Sequence, residues 1–360
     1  MTTTERKIKV VDCDTHFWQP VEMWESYIEP KHKDAVLKQV GAVDIANKLP
    51  PGVMAKVEES RAIRGGDHAP ERLQWMDEEG IDVNIIYPGT GLFAYASDPI
   101  VSSAACRALN RFAANFADAD RARLKPCMLL PVRFPELALE EFRYASQELK
   151  LEAIFAAPTP DPTRRWSDPA YDPLWEAVQE AGVVMTFHEF TRMGGDAPIV
   201  ARQSYKDSYP LMYLCGHVVE AQLAVMDMIG GGALGRFPGL KVGFVEAHVA
   251  WLPGWLATMD SIWPRVSTMY EETGGTGTLS MTPTEFFRRQ CFIVAFPDDA
   301  WIAEVVKYVG EDNVTVCTDY PHPQTRYGAV EMFHERQSHL PESVRRKVLG
   351  GNAVRIFNLE

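Results

Sequence analysis

The sequence predicts a (β/α)8 barrel of the TIM type, and two observations carry that prediction. Eight short apolar runs recur along the chain, and helical patterns lie between several of them, as repeated βα units of a parallel sheet require. The strand candidates are residues 9–16, 83–88, 124–131, 153–157, 183–188, 241–246, 291–295 and 314–319. Among the helices, 135–150 is charged and amphipathic, and 169–182 opens on a turn and continues through Leu174 and Val178. Residues 219–230 form a largely apolar helix, and 342–359 close the chain. Eight units fit a closed barrel better than a doubly wound sheet, and residues 1–360 read as one domain. Two stretches break the rhythm: 24–72 after the first strand, rich in Pro, Gly and charge, and 191–213 after the fifth. In a barrel both lie over the C-terminal ends of the strands, as lids on a site there.

Composition bounds the partners. With 46% of 360 residues hydrophobic, the chain buries a large core without disulfides or metal as staples. A net charge of −13 argues against nucleic acid, which clustered Lys and Arg would serve. Six cysteines stand far apart with no CxxC pair, the pattern of reduced thiols. Residues 1–7 are polar where a signal peptide has its apolar segment, and no run approaches the ~18 apolar residues of a membrane span. The expectation is a cytoplasmic protein acting on a small molecule, away from membranes, with assembly into a homo-oligomer left open.

Three of the apolar strands end in residue types that bind metals. Asp14 and His16 lie two apart at the end of the first, and strand alternation points both the same way. The fifth ends in Phe187-His188-Glu189, and the eighth in Thr318-Asp319-Tyr320-Pro321-His322. An isolated Asp-x-His is more often a capping aspartate beside a core histidine. A charged group at the end of an apolar strand is costly unless paired or bound to a cation, however, and packing gives no reason for three strands to end so. Of nine histidines, His16, His188, His217, His248 and His322 fall at or near apolar strand ends. Cys13 and Cys317 alternate with the ligand-type positions and are expected to point away from them, as packing residues.

Over nearly its whole length the chain resembles the amidohydrolase-related proteins of the aminocarboxymuconate-semialdehyde decarboxylase type. The matching motifs occur in order. Asp12-x-Asp14-x-His16 is followed by Gln19-Pro20 and Trp24-Glu25, then by Arg72-Leu73-x-x-Met76-Asp77-x-x-Gly80-Ile81-Asp82 and Tyr171-Asp172-Pro173-Leu174-Trp175. Arg236-Phe237-Pro238-x-Leu240-Lys241-Val242, Glu246 with Trp251-x-Pro253, and Thr318-Asp319-Tyr320-Pro321-His322 complete the set. The resemblance implies a distorted TIM barrel with a divalent metal at its C-terminal face, held by Asp14, His16, His188 and Asp319. The chain departs from the pattern twice. Where the decarboxylases carry a general-acid histidine after the sixth strand, it has Glu246 and, two residues on, His248. The fourth strand has no lysine at its end, so the carboxylated lysine that bridges two metals in many amidohydrolases has no counterpart.

His217 and Glu220, three apart at the start of the apolar helix before the sixth strand, share a helical face. His217, Glu246 and His248 are candidates for a second ion or, with His322, for proton transfer; Glu189 is expected to face away from His188. Imidazole and carboxylate sets without thiolate suit iron, zinc or manganese alike. The surplus ligands and the missing lysine place first an O2-dependent hydroxylation of a small apolar carboxylic acid or terpenoid at a dinuclear non-haem iron site, as in one branch of the family. The alternative is a mononuclear zinc or manganese enzyme, a hydrolase or non-oxidative decarboxylase. Lid aromatics, among them Trp18, Tyr95, Trp166, Tyr205 and Tyr213, suggest an apolar pocket, and Arg192 and Arg202 are candidate receptors for a substrate carboxylate.

Overall fold

The computed structural model describes residues 9–46, 51–89, 92–161, 163–189, 208–272 and 279–359. Its strands are β1 (Val11–Phe17), β2 (Val83–Pro88), β3 (Leu124–Leu129), β4 (Ala153–Ala156), β5 (Val184–His188), β6 (Lys241–Val245), β7 (Cys291–Ala295) and β8 (Val314–Val316). They form one sheet in sequence order, each parallel to the next, with helices between. Every residue of β1, β2, β4, β5, β7 and β8 is buried. Parallel strands covered on both faces read as largely apolar runs, which made most of them legible; β1 differs, with Asp12, Asp14, Thr15 and His16 buried among its apolar residues.

The closure of the barrel falls on the residues of interest. Thr15 bridges Tyr320 in parallel, His16 N donates to Tyr320 O at 2.6 Å, and Asp319 N donates to Asp14 O at 2.9 Å. Asp12 fastens the same seam, accepting from Thr318 N at 2.9 Å and Thr318 Oγ1 at 2.6 Å. Burial pushes the Asp12 carboxyl up to about 7 against those hydrogen bonds. Asp14 and Asp319 are therefore held by backbone pairing, independently of anything bound between them.

The first insertion folds into helices Val21–Tyr27, Lys33–Ala46 and Pro51–Arg61, ahead of the helix Ala69–Glu79. It is tied to the strand ends. Trp18 N donates to Gly66 O at 2.7 Å, Ser60 Oγ donates to Pro321 O, and Tyr320 OH donates to Arg64 O. Arg72 is wholly buried; it donates to Gly65 O at 2.9 Å and to the His16 carbonyl, with its guanidinium 4.9 Å above the Tyr320 ring. Of the second insertion, the helix Tyr209–Leu214 begins what is described; Arg192, Arg202 and Tyr205 lie outside the described residues.

Three local expectations change. Tyr95 and Trp166, read as lid aromatics, are buried core: the Tyr95 hydroxyl accepts from Ala157 N at 2.6 Å, and Trp166 packs among Tyr171, Trp175 and Phe187. The closing helix is broken into Glu342–Arg346, a π-helical turn Lys347–Gly351, and Asn352–Ile356. Gly350 lets that turn pass the start of β1, where a Cβ would fall 1.8 Å from Lys9 O. Among the described residues no helix is long and apolar enough to cross a membrane.

Candidate metal centre

Asp14 and His16 project from the end of β1, His188 is the last residue of β5, and Asp319 follows β8. All four are at most 3% exposed. His16 Nε2 lies 3.3 Å from Asp14 Oδ1 and 3.4 Å from Asp319 Oδ1, and His188 Nε2 lies 3.5 Å from Asp14 Oδ1. Metal–donor bonds of about 2.1 Å set neighbouring donors about 3.0 Å apart in an octahedron and about 3.4 Å apart in a tetrahedron. The three spacings match edges of this kind, and Asp14, His16 and His188 together, and His16 with Asp319 and His322, each bring ligand atoms within 4.8 Å of one another. Among the described residues, neither oxygen of Asp14, neither nitrogen of His16, nor His188 Nε2 has a hydrogen-bond partner, although all are buried. Buried polar atoms are normally satisfied, so one orphaned atom from each of Asp14, His16 and His188, within 4.8 Å of one another, fits a cation between them. The other nitrogen of His188 lies 2.7 Å from Glu189 O. A carbonyl only accepts, so Nδ1 carries the proton and Nε2 presents a lone pair, the usual arrangement of a ligating histidine.

The structure brings in two further residues and sets one apart. Glu246, just past β6, reaches His188 Nε2 with Oε2 at 3.3 Å and His217 Nε2 with Oε1 at 3.0 Å. Glu189, expected to face away from His188, directs its side chain to His217, with Oε1 3.4 Å from Nε2. His248, grouped with His217 and Glu246 by its sequence position, is not brought to them: its Nδ1 lies 3.4 Å from Asp299 Oδ1 and its ring 5.3 Å from Phe296. Both Glu246 and His248 have left-handed backbone, φ +52, which turns the chain after β6 and separates the two side chains. Asp319 is left-handed too, φ +61. Such conformations cost non-glycine residues about 1–3 kcal/mol each and persist where the surroundings over-determine them. Here they aim two carboxylates inward.

His322 is the partly exposed imidazole of the group. Its Nδ1 lies 2.5 Å from Asp319 Oδ1, and its ring stacks on His16 at 3.9 Å, with Trp18 5.3 Å away. Glu220 does not join His217; it takes a hydrogen bond from Thr159 Oγ1 at 3.4 Å. Cys13 and Cys317 are buried and free, and desolvation pushes both thiols upward. β4 carries no lysine.

Without an ion, protons hold these carboxylates together. Burial lowers the His16 pKa, but Asp14 and Asp319 outweigh it and carry it up to about 10. Against the same burial, Glu189 and Glu246 raise His217 to about 9. His188 is raised by Asp14 and Glu246, and Asp319 is held well below the usual carboxylate range despite its burial, by His322 and His16. An ion needs neutral imidazoles and must displace those protons. Metal affinity is therefore expected to rise roughly tenfold per pH unit for each proton displaced. Calorimetry in buffers of different ionisation enthalpy should detect the released protons, and affinity that stays flat with pH would count against the site. The linkage sign follows: the stabilisation from His16 is complete below its ordinary 6.5 and is lost as pH rises through about 10.

A profile of the Amidohydrolase family matches residues 11–359. The chain belongs to the amidohydrolase family. Among curated relatives, it is 23% identical over 292 residues to the 2-amino-3-carboxymuconate-6-semialdehyde decarboxylase of Dictyostelium discoideum, covering 80% of this chain and 76% of that one. The solved 5-carboxyvanillate decarboxylase of Sphingomonas paucimobilis has the same fold at a TM-score of 0.76 and 22% identity, over 98% of this chain and 100% of the other. A dihydroxybenzoic acid decarboxylase of a Polaromonas species, solved with manganese and the inhibitor 2-nitroresorcinol, matches at a TM-score of 0.68 and 18% identity, over 98% and 97% of the two chains. The amidohydrolase barrel thus accounts for the strand order, and its C-terminal rim for the position of Asp14, His16, His188 and Asp319.

Proposed function

We propose that this amidohydrolase is a divalent-metal-dependent, non-oxidative decarboxylase of a small planar carboxylic acid with the carboxylate on a conjugated or aromatic carbon. The observation that carries the reading is the setting of His322: one partly exposed imidazole, hydrogen-bonded to Asp319, beside a buried set of orphaned ligand atoms. Non-oxidative decarboxylation breaks one C–C bond, leaves the electron pair on the substrate carbon, releases carbon dioxide and takes up one proton. It needs a fixed Lewis acid and one proton donor, and no redox-active ion.

A divalent ion held by Asp14, His16, His188 and Asp319 supplies that Lewis acid when bound. His322 delivers the proton from Nε2, because its Nδ1 is engaged with Asp319. The Trp18 ring, 5.3 Å from that of His322, puts an aromatic surface beside the proton donor, and the four ligands themselves are buried. The relatives named above support the reaction class: each acts on an acid of this kind, and one was solved with manganese. Oxygen-dependent hydroxylation at dinuclear iron, ranked first on the sequence, has no such support, and the non-oxidative alternative set beside it takes its place. Manganese is the leading metal and zinc the next.

Under strict anaerobiosis the manganese- or zinc-loaded chain should convert a member of a panel of hydroxybenzoates and carboxylated muconate semialdehydes, releasing one carbon dioxide per substrate consumed. Turnover that requires oxygen, iron and a reductant would sink the proposal.

A further inference from the structure

We infer that the N-terminal end of the barrel, opposite the metal ligands, carries a site for the phosphoryl group of a small phosphorylated molecule, formed by Lys241, Arg288 and Arg355. The three line one open cavity of about 340 Å³, which Arg289 also lines. Lys241 is the first residue of β6, and Cys291, in the same lining, is the first of β7. The strands are all parallel and start at one end of the barrel, so the cavity lies at the end away from His188 and Glu246. The inference therefore stands apart from the reaction proposed above.

Charge carries the argument. The chain has a net charge of −13, yet four cations meet here against one carboxylate, that of Asp312. That carboxylate is already taken: Asp312 Oδ1 accepts from Lys347 Nζ at 2.8 Å. Among the described residues, no carboxylate pairs with Lys241, Arg288, Arg289 or Arg355. Each donates to a main-chain carbonyl instead: Lys241 Nζ to Ile356 O at 3.1 Å, Arg288 Nε to Tyr308 O at 3.2 Å, Arg289 Nη2 to Leu234 O at 3.0 Å, and Arg355 Nη2 to Asp312 O at 2.5 Å. A carbonyl holds a side chain in place without cancelling its charge. Burial, and Arg355 beside it, hold the Lys241 ammonium below its usual range. Like charges around a cleft focus a positive potential into it, and an anion relieves their repulsion.

The donors left over select the anion. Among the described residues, Arg288 and Arg355 have no partner for Nη1, and Lys241 uses one of its three N–H bonds. Arg289 is more fully engaged, donating also to Gln290 Oε1 at 2.8 Å, so it contributes charge more than contact. A guanidinium matches two oxygens of a phosphoryl group at once, and an ammonium takes a third. A carboxylate, with two oxygens and one charge, is satisfied by a single guanidinium. The volume falls at the low end of small-molecule sites, about 300–1,000 Å³, and so favours a phosphate ester over the bare ion. The walls are fixed in advance. Asn313 Nδ2 donates to Arg288 O at 2.9 Å and Cys291 O at 2.7 Å, and Asn352 Nδ2 ties the helix of Arg355 to Val314 O at 2.8 Å.

The test is calorimetric titration of the full manganese-loaded chain with phenyl phosphate and with inorganic phosphate. Phenyl phosphate should bind saturably at one site per chain, and more weakly as ionic strength rises. Lys241→Gln, Arg288→Gln and Arg355→Gln should each weaken it about tenfold, the weight of one charge-assisted hydrogen bond, with metal content and cooperative unfolding unchanged. Arg288 is exposed, so its variant is the least able to disturb the fold. In His188→Ala, whose metal site is emptied, phenyl phosphate should bind as in the wild type, and benzoate at least tenfold more weakly. Inorganic phosphate binding as tightly as the ester upholds the site, with the free ion as its occupant. A wild type that binds neither phosphate, variants that bind phenyl phosphate as well as the wild type does, or benzoate binding equally in His188→Ala overturns the inference. None of those results bears on anaerobic carbon dioxide release, which tests the metal centre alone.

Discussion

His188→Ala is expected to strip the ion from the Asp14 site and to lower turnover by about 10³–10⁴-fold. His188 is the one imidazole there whose proton is fixed on Nδ1 by a backbone carbonyl, so its Nε2 is ready to bind without rearrangement. A Lewis-acid ion is worth several kcal/mol of transition-state stabilisation, and about 4–6 kcal/mol corresponds to the stated factor. The barrel should survive the change, because closure between β1 and β8 runs through Thr15–Tyr320, His16 N–Tyr320 O and Asp12–Thr318, none of which touches His188. The measurements are metal content, steady-state rate and thermal unfolding on the same preparation. A variant that keeps a full complement of metal would remove His188 from the ligand set. A variant that melts without cooperativity would show instead that the site is needed for the fold.

The barrel was legible because its strands are buried on both faces, so most of them appear as apolar runs whatever their neighbours are, β1 with its Asp12, Asp14, Thr15 and His16 being the exception. What the sequence could not show was where each strand stops. Residues 314–319 read as one strand, but pairing with β7 ends at Val316, and by Asp319 the backbone has turned left-handed. The chain beyond a strand end is equally hard to read: His248 was grouped with Glu246 by sequence position, and past Val245 left-handed backbone at both residues takes it to Asp299 instead. His217 stood out as a histidine on an apolar segment, but its pairing with Glu220 assumed an ordinary helix. The π-helical turn changes the angular offset between the two, and Glu220 goes to Thr159 instead. Asp14, His16, His188 and Asp319 needed less of this detail: His188 is the last paired residue of its strand, and Asp14 and Asp319 are tied to each other through their backbones where β1 meets the segment after β8.

His322→Asn should separate proton delivery from metal binding. Asparagine can still donate to Asp319 Oδ1, so the ligand keeps a partner and the site should hold its ion at saturating metal. Loss of the imidazole at this position removes Nε2, and with it the donor assigned to the substrate carbon. A missing general acid lowers rate by roughly 10²–10⁴-fold, whereas loss of an orienting hydrogen bond alone weakens metal affinity by roughly 10–100-fold. The two effects are distinguishable: at saturating manganese the first persists in kcat and the second disappears. Stacking on His16 at 3.9 Å is also lost, which argues for a parallel His322→Phe variant that restores the ring without the nitrogen. If proton delivery is the role, Phe is as slow as Asn in kcat. Should either variant reach wild-type kcat once metal is saturating, His322 only orients Asp319, and the proton comes from elsewhere in the site.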